Sequence, residues 1–487
     1  MKKTKLVRDT VHGYVKVPSG YFNDFIDTAL FQRLRGIEQT SIRVLYPSAH
    51  HDRFIHSLGT FHLAQAVFQS LDERGQLEDI RSKEHLQHSF QIAALLHDCA
   101  HSPFSHIGEG FTKRLFPTAN KAALLNLAND ESFSNDFADV NATAQNSPAP
   151  HEVASALVVL RRFKDAIQDN WANPLLVVRM ITGCKYLSPK DRQQQIENCL
   201  IELVNGPTLD VDKLDYILRD TWASGVKNAS VDIDRLIAAL VFTKGEDDSL
   251  CVALSKTALS VIQNMVQARD FLYQWIVCHH KVVYEKHLLE KAISDLGRAL
   301  DEKFELGTPD DCLRPLFSVD ALLSRQGIGQ GLSAYLPSDG DIRFLLKQYC
   351  SESDAAKQLL ERSHSQRPAW KTFSEFSHHF RRELSPQDVG SLEQNVARFS
   401  SQVEEEVARN GWGTYCKVSP KLSMSKLAKM RIVIEEGKDP CAFNEIFGAS
   451  VSPVFTYFYL FLSEGVDSGN VIIRLKSIAQ EAATAPL

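Results

Sequence analysis

Apolar residues recur at intervals of three and four along most of the chain. In HSLGTFHLAQAVFQSLDERG, the positions that fall on one side of a helix are Leu58, Phe61, Ala64, Val67, Phe68 and Leu71. The same spacing predicts helices in SFQIAALLHDCAHSPFSHIGEGF, HEVASALVVLRRF, VDKLDYILRDTW and ALSVIQNMVQARDFLYQWIVCHHKVVYEKHLLEKAI. The predicted fold class is therefore mainly α.

Alternation of apolar and polar residues is brief. YVKVP near Tyr14 and MRIVIEE near Met430 predict a few peripheral strands. The apolar run PVFTYFYLFL, from Pro453 to Leu462, falls short of the roughly 20 residues needed to cross a bilayer, so it is interpreted as buried core. The basic N-terminus lacks the apolar stretch of a signal peptide, so neither export nor membrane association is expected.

Composition suggests two parts of the chain. Residues 129–150 are rich in Asn, Asp, Ser and Ala, which predicts a loop or an insertion. A change of composition near Gly307 to Ser318 predicts a core over residues 1–310 and a mostly helical C-terminal region over residues 311–487. An assembly or regulatory role is the hypothesis for the C-terminal region.

Charge and cysteine content narrow the choice of partners and compartment. The formal charge is −6, from 54 Lys and Arg against 60 Asp and Glu, so net charge gives no indication of nucleic-acid binding. The nine cysteines include no C-x-x-C pair, which is typical of a reducing cytoplasm rather than a disulfide scaffold. A cytoplasmic protein is expected.

The densest candidate chemistry lies in ALLHDCAHSPFSH, where an apolar helix ends in imidazoles and a carboxylate. His97 and His101 are four residues apart, on one face of a helix. An adjacent His and Asp at a helix end can both reach one ion, and their atoms suit Mn, Fe, Zn or Mg to differing degrees. His56 opens a helix upstream, and several aspartates are closely spaced in TLDVDKLDYILRD downstream.

An ordered series of motifs carries a family resemblance. DTVHGYV, FQRLRGIEQ, RFIHSLGT, LLHDCAHSPFSH, HEVAS, DVDKLDYILRD and ARDFLYQWIVCHH together resemble the HD-domain dNTP triphosphohydrolases, and most resemble the branch of the animal SAM-and-HD-domain protein and its bacterial relatives. The resemblance covers roughly Lys5 to Leu289. It implies a helical HD-type phosphohydrolase core and metal-dependent hydrolysis of dNTPs to a deoxynucleoside and triphosphate.

Matched motif by motif, the family's residues give a set of metal ligands and a set of proton carriers that the resemblance implies for this chain. The implied ligands of a divalent metal are His56, His97, Asp98 and Asp212. The implied catalytic residues are His101, His106, Glu109 and His151. Of these, His106 and His151 are expected to act as a general acid or as a phosphate contact. His101 and Glu109 are expected to position or exchange protons.

The resemblance also implies residues that contact a nucleoside triphosphate. They are Gln39, Arg53, Lys213, Tyr216, Asp220, Arg269 and Tyr273. The three cationic residues suit a triphosphate, Gln39 and Asp220 suit the 3′-hydroxyl, and Tyr216 suits the face of the sugar that carries a 2′-hydroxyl in ribonucleotides. The chain departs from the family at Ala100, where glycine is usual, and at Val277, where tyrosine is usual.

A regulatory nucleotide site between subunits is a further implication. The family's activator-binding pattern matches Lys5, Asp27, Gln32 and Arg35, which implies a nucleotide activator and a homo-oligomer. Pairing for folding alone is the other interpretation of these four residues.

Two other functions stay open. An HD-type phosphodiesterase on cyclic or oligonucleotides would need more ligand histidines, which His101, His106 or His151 can supply. A nucleotide-sensing protein with weak catalysis would be expected to lack a ligand, and none is missing. Depletion of dNTPs would serve either pool balance or defence against phage.

Overall fold

A computed structural model describes most of the chain. The described residues are 3–78, 80–142, 147–226, 231–245, 249–351, 353–384, 389–418, 429–435, 439–447 and 457–484. Helices dominate these residues, as the apolar spacing predicted, and the expected class is confirmed.

The helices in the described residues are α1 Ser19–Tyr21, α2 Ala29–Gln32, α3 Arg53–Glu73, α4 Lys83–Leu96, α5 His106–Leu115, α6 Ala119–Ala128, α7 Glu131–Ala142, α8 Pro150–Val158, α9 Lys164–Asp169, α10 Pro174–Thr182, α11 Arg192–Val204, α12 Val211–Ser224, α13 Ile233–Ala238, α14 Leu259–Leu272, α15 His280–Phe304, α16 Pro309–Phe317, α17 Asp320–Leu323, α18 Asp339–Tyr349, α19 Asp354–Leu360, α20 Phe373–Leu384, α21 Val389–Asn410, α22 Phe443–Phe447 and α23 Ser468–Thr484. Short 3₁₀ or π-helical turns extend several of them, including Tyr273–Val277 after α14.

The strands form four small sheets. They are β1 Thr4–Asp9, β2 Gly13–Pro18, β3 Leu240–Lys244, β4 Leu250–Ser255, β5 Gln326–Gly329, β6 Leu332–Ala334, β7 Arg367–Pro368, β8 Gly413–Val418, β9 Arg431–Val433, β10 Cys441–Ala442 and β11 Tyr457–Leu462. The sheet orders are β1-β2, β10-β9-β4-β3, β7-β11-β8 and β5-β6, and the β4-β9 pair is the parallel one. The strands predicted near Tyr14 and Met430 are β2 and β9, and β11 is buried along its whole length.

Two predicted helices are interrupted, and both breaks matter for the site. The prediction of one helix through ALLHDCAHSPFSHIGEGF was wrong: α4 ends at Leu96 and α5 begins at His106. Between them Phe104 and Ser105 have φ angles of 58° and 52°, a conformation that no right-handed helix contains. The long helix predicted after Ala258 likewise stops at the Tyr273–Val277 turn before α15 begins.

The expected loop over residues 129–150 is partly a helix. Residues 131–142 form α7, and Phe133 and Phe137 are both buried on one side of it. Their spacing of four residues explains the correction, because a buried apolar pair outweighs the low helix propensity of the surrounding Asn, Asp and Ser. Residues 143–146 lie outside the described residues.

Two hydrophobic cores organise the described residues. The first contains most of the apolar residues between Val15 and Ala268, and the second contains most of those from Cys278 to Ala482. The second also takes Phe104 and residues of α5, so the loop before α5 borders both cores. The boundary predicted near residue 310 stays a prediction.

Two further observations concern the whole described chain. All nine cysteines lie in it with free thiols, and eight of them are buried. Within the described residues, no helix has both the length and the apolar character needed to cross a membrane.

Candidate metal centre and active site

The ends of three helices bring the implied ligands together. His56 lies in the first turn of α3, whose N-cap Asp52 accepts a hydrogen bond from the Ile55 N–H at 3.0 Å. His97 and Asp98 follow α4 directly. Asp212 lies in the first turn of α12, which the side chain of Asp210 caps. A capped helix start fixes the backbone of His56 and of Asp212.

The four side chains face one small space. Nε2 of His56 lies 3.0 Å from Oδ1 of Asp212 and 3.7 Å from Oδ2 of Asp98. Nε2 of His97 lies 3.6 Å from the same Asp98 oxygen and 3.8 Å from the same Asp212 oxygen. One nitrogen of each histidine and one oxygen of each aspartate therefore converge.

The donor atoms fit a divalent metal ion. Nδ1 of His97 bonds to the carbonyl oxygen of Ala94 at 2.9 Å, and Nδ1 of His56 bonds to Asp215 at 2.7 Å. Nε2 of both rings is buried and has no hydrogen-bond partner among the described residues. With an ion bound, a neutral imidazole held through Nδ1–H would present its Nε2 lone pair to that ion, as metal-binding histidines do. Buried nitrogens of this kind are costly unless an ion occupies the space between them.

The electrostatic surroundings also favour a cation. Burial by itself would lower the pKa of His56, but the carboxylates of Asp212 and Asp215 raise that pKa to about 10. Burial would raise the pKa of Asp98, but Arg53 and the nearby imidazoles hold it well below its usual range. Asp98 therefore stays ionised, and the position between the ligands attracts positive charge.

Glu109 organises a second cluster beside the first. One carboxylate oxygen bonds to Nδ1 of His106 at 3.0 Å, and the other bonds to Nδ1 of His151. Burial would lower the pKa of His151, but Glu109 raises it to about 9. His101 stacks on His151 with ring centroids 4.5 Å apart. All four predicted proton carriers are thus brought together.

His101 differs from its two histidine neighbours. Its side chain is fully buried, and neither ring nitrogen has a hydrogen-bond partner among the described residues. Burial, followed by the charge of Arg53, holds the pKa of His101 well below its usual range. The ring is therefore neutral and keeps one nitrogen lone pair.

Asp98 joins the two clusters. Its Oδ2 faces the two ligand histidines, and its Oδ1 lies 3.8 Å from Nε2 of His151. Arg53 donates from Nη1 to Asp98 and from Nε to the hydroxyl of Ser105 at 2.9 Å. Arg53 is 3% exposed and makes hydrogen bonds to both Asp98 and the loop at Ser105. Its predicted contact with a phosphate stays a prediction.

A buried ionic network supports His56 from behind. Asp215 accepts from Nδ1 of His56, from Nε2 of His12 at 2.6 Å and from two nitrogens of Arg219 at 2.8 and 2.9 Å. Arg219 also donates to Asp9 at 2.9 Å. Gly59 makes room for the network, because a Cβ atom there would lie 1.9 Å from an oxygen of Asp215. This arrangement fixes the ring plane of His56.

Part of the predicted substrate contact set forms one polar wall. Nε of Arg269 donates to the hydroxyl of Tyr216 at 2.7 Å, and the guanidinium lies 4.9 Å from the ring centroid of Tyr273. Lys213 is partly occupied, since its Nζ donates to the carbonyl oxygen of Gly206 at 2.8 Å and to Asp210. The wall combines aromatic faces with cationic groups.

Asp220 and Gln39 lie at a second polar position. An oxygen of Asp220 bonds to Nε2 of His51 at 2.7 Å. The backbone N–H of Gln39 donates to the carbonyl oxygen of the same histidine at 3.0 Å. The side-chain oxygen of Gln39 is buried without a hydrogen-bond partner among the described residues, so it can still accept one.

The four predicted regulatory residues are only partly brought together. Arg35 donates to Gln32 at 2.9 Å and lies over the Phe54 ring, 3.6 Å from its centroid. Lys5 contacts Asn23 and Phe22 instead, and Asp27 is exposed. A binding role for the four stays a prediction.

Six residues that bond to the candidate site were not among the predicted site residues. They are Asp9, His12, His51, Ser105, Asp215 and Arg219. His12 and Asp215 did carry a signal, since they belong to the motifs DTVHGYV and DVDKLDY. Arg219 lies four residues after Asp215 on the same helix, a spacing that predicts an ion pair. Nothing local indicated that these pairs lie behind His56.

Comparisons with known proteins agree with the site. A family model described as HD domain matches residues 53–175, which include His56, His97, Asp98 and the second cluster. The deoxynucleoside triphosphate triphosphohydrolase SAMHD1 homolog of Dictyostelium discoideum is 31% identical over 336 residues, covering 66% of this chain and 55% of that protein. The SAMHD1 triphosphohydrolase of Gallus gallus is 32% identical over 311 residues, covering 62% and 46% respectively.

A solved structure shares the fold at low sequence identity. A phosphohydrolase from Bacteroides thetaiotaomicron matches with a TM-score of 0.61 and 18% identity, covering 95% of this chain and 100% of that one. Residues 53–175 therefore match the HD domain, and the described chain has the phosphohydrolase fold and a His/Asp cluster able to bind a metal. Within that class, its resemblance to the dNTP triphosphohydrolases is confirmed. It spans about half the length of the curated relatives named above.

Proposed function

We propose that this chain is a metal-dependent hydrolase that cleaves deoxynucleoside triphosphates into a deoxynucleoside and tripolyphosphate. The observation that carries the proposal is the double role of Asp98, whose two oxygens face the ligand histidines on one side and His151 on the other. A metal position and a cluster of proton carriers therefore share one side chain. Hydrolysis of a phosphoester needs both.

The ligand cluster supplies the electrophilic part of the reaction. A divalent ion held by His56, His97, Asp98 and Asp212 would neutralise phosphoryl oxygens and activate water. The chain itself keeps those ligands in place through Asp215 behind His56 and through Arg53 beside Asp98. Placement of this kind lowers the barrier because fewer groups must reorganise during the reaction.

The second cluster supplies protons. In the reaction, oxygen from water bonds to the α-phosphorus, the bond from phosphorus to O5′ breaks, and O5′ takes a proton. Glu109 bonds to Nδ1 of both His106 and His151, which leaves Nε2 of each ring free to exchange a proton. His106 begins α5 with a side chain 67% exposed, so it is the ring most accessible to the leaving group.

The proposed substrate class rests on the residues of the polar wall and on the names of the two relatives. The two SAMHD1 proteins are named deoxynucleoside triphosphate triphosphohydrolases. Arg269 donates to the Tyr216 hydroxyl, and Lys213 lies about one turn before Tyr216 on α12, so these two cations suit a triphosphate while Tyr216 suits a sugar that lacks a 2′-hydroxyl. Asp220 and Gln39 offer acceptors for the 3′-hydroxyl.

Product analysis tests the proposal. We expect dNTPs to yield deoxynucleoside and intact tripolyphosphate with Mn or Mg, and no product in the presence of a chelator. The four dNTPs and four rNTPs should be tested singly and in pairs, with chromatography of all phosphate species. A deoxynucleoside diphosphate with orthophosphate would contradict cleavage at the α-phosphorus.

A second candidate function rests on the geometry of the second cluster. One ligand atom from each of His101, His106, Glu109 and His151 lies within 4.8 Å of the others, which is also suitable for a divalent ion. Two ions side by side are typical of phosphodiesterases. Metal analysis distinguishes the two functions, since a triphosphohydrolase is expected to bind one ion per chain and a phosphodiesterase two. A phosphodiesterase should also cleave cyclic nucleotides or oligonucleotides.

Activation by a nucleotide is a further part of the proposal. We infer that Lys5, Asp27, Gln32 and Arg35 bind an activating nucleotide between two copies of the chain. In wild type, one dNTP should then accelerate the hydrolysis of another and increase the mass of the oligomer. Arg35→Ala should abolish both effects while the metal content stays normal. The reason is linkage, since a ligand that binds only the assembled form stabilises that form.

Initial rates and light-scattering mass, each with and without a second nucleotide, measure this effect. Arg192→Ala is the matched control, because Arg192 is an exposed arginine at the start of α11. If wild type and Arg35→Ala respond identically, the four residues are structural contacts only.

A further inference from the structure

Asp339, at the start of α18, reaches from the C-terminal part of the chain to the active-site loop. It is 4% exposed, and each of its carboxylate oxygens accepts a hydrogen bond from a backbone N–H. Oδ1 accepts from Phe104 at 2.6 Å, and Oδ2 accepts from Glu38 at 3.2 Å. The two donors belong to segments more than sixty residues apart, so one side chain ties both to α18.

The residues before Asp339 strengthen this attachment. Arg33 donates from Nε to the carbonyl oxygen of Pro337 at 2.7 Å and from Nη2 to the carbonyl oxygen of His101 at 2.6 Å. Gly36 packs closely on Ser338, since a Cβ atom at Gly36 would lie 2.9 Å from the Ser338 Cβ. Residues 337–339 therefore contact both the segment before Gln39 and the loop after His97.

The segments held in this way position groups of the site. Phe104 and Ser105 both have a positive φ, a conformation that costs energy for residues other than glycine. The hydroxyl of Ser105 donates to the carbonyl oxygen of Glu38 at 2.6 Å and accepts from Arg53, which pairs with Asp98. His106 follows directly. A fixed loop is what keeps both Arg53 and His106 in place.

Folding of α18 does not account for Asp339. Ser338 and Asp341 already form the capping box of this helix, with the Ser338 N–H donating to Asp341 at 2.7 Å. The Asp339 carboxylate points away from that cap to Phe104 and Glu38. Burial also raises the pKa of Asp339 to about 6, so keeping it ionised at neutral pH is unfavourable for stability. A costly buried carboxylate with two N–H partners at the active site suggests a functional role.

We propose that Asp339 is a positioning residue of the active site: its carboxylate holds the 104–106 loop against residue 38, and thereby holds Arg53 and His106 for catalysis. The inference rests on the proposed function and extends it, because it makes the C-terminal part of the chain necessary for turnover. It also requires a side chain at position 339 that has two acceptor oxygens. An asparagine supplies one acceptor and one donor, and the donor would face an N–H group.

The test compares Asp339→Asn with Asp341→Asn in the full-length chain. Asp341 is the matched control, because it is an aspartate two residues further along α18 whose hydrogen bonds go to Ser338 of the helix cap. We expect Asp339→Asn to lower kcat about 100-fold, since displacement of a catalytic group by about 1 Å has an effect of that size. KM and the bound metal should stay within about twofold of wild type, and Asp341→Asn should keep full kcat.

The pH dependence of kcat distinguishes a positioning role of Asp339 from a purely structural one. The charged groups that act on Asp339 are Arg343, Glu38 and Arg33, and Asp341 acts on the same Arg33. Below about pH 6 the wild-type carboxyl gains a proton and loses an acceptor, so the ratio of wild-type to Asp339→Asn kcat should shrink there. Taking the ratio cancels the titration of groups common to both proteins.

Two further measurements separate this inference from the proposed function. Hydrolysis of bis(4-nitrophenyl) phosphate reports on the site whatever the natural substrate is, and backbone hydrogen exchange of residues 102–106 reports on the loop directly. Faster exchange and slower hydrolysis in Asp339→Asn, with partial recovery in Asp339→Glu, support the inference even if no tripolyphosphate is released by wild type. Unchanged exchange and kcat, or an equal loss in Asp341→Asn, would overturn it. If Asp339→Asn fails to fold, the same comparison is made on Asp339→Glu.

Discussion

Replacing His97 by alanine is expected to remove the bound metal and to lower turnover about 1,000-fold. Its Nε2 atom is one of two buried imidazole nitrogens that converge on Asp98 and Asp212 without a hydrogen bond of their own among the described residues. A metal contributes several kcal/mol to transition-state stabilisation, and about 4 kcal/mol corresponds to a thousandfold change in rate. Metal content by elemental analysis and kcat on dNTPs measure the two effects.

His85→Ala is the matched control for that experiment, since His85 is an exposed histidine on α4, the helix that His97 follows. It should leave metal content and rate unchanged. Asp98→Ala is a poorer test, because it would leave the Arg53 guanidinium buried without its carboxylate and so destabilise the fold. Stoichiometric metal together with normal turnover in His97→Ala would show that His97 is not a ligand.

Asp215→Asn is expected to lower metal affinity about 10- to 100-fold and the free energy of unfolding by about 3 kcal/mol. The affinity falls because Asp215 orients His56 through Nδ1, and partners of this kind typically contribute that much. The stability falls because Arg219 and His12 lose a buried ionised acceptor. Metal titration and urea unfolding of the metal-free protein measure the two quantities separately.

Asp9→Asn separates the two effects of Asp215. Asp9 also accepts from Arg219, at 2.9 Å, but the structure gives it no contact with His56 among the described residues. Asp9→Asn should therefore lower the stability of the metal-free protein while changing metal affinity much less than Asp215→Asn does. If both variants bind metal equally weakly, Asp215 acts through general stability and not through the His56 ring.

The four candidate metal ligands could be named from the sequence because each belongs to a short motif. Their convergence follows from three helix ends, and helix starts carry local signals such as Asp52 and Asp210. The contacts behind them depend on long-range packing. Asp339 lies 235 residues from Phe104, and Asp215 lies 203 residues from His12. Spacing along the chain carries no information about such pairs.

Two of the three errors in the predicted secondary structure have distinct physical causes. In the HD segment, apolar spacing continued past Leu96, but Pro103 and the left-handed Phe104 and Ser105 interrupt the helix. Around residue 131 the polar composition predicted a loop, whereas burial of Phe133 and Phe137 stabilises a helix. In both places tertiary contacts decide the backbone conformation.

Hydrolysis in water labelled with oxygen-18 shows most directly whether the chain cleaves the bond between the α-phosphorus and O5′. We expect one labelled oxygen in the released tripolyphosphate and an unlabelled deoxynucleoside, because water attacks phosphorus and the bond from phosphorus to O5′ breaks. Mass spectrometry of both products after a single turnover measures this. Label in orthophosphate alongside a deoxynucleoside diphosphate, or label in the deoxynucleoside itself, would contradict attack of water at the α-phosphorus.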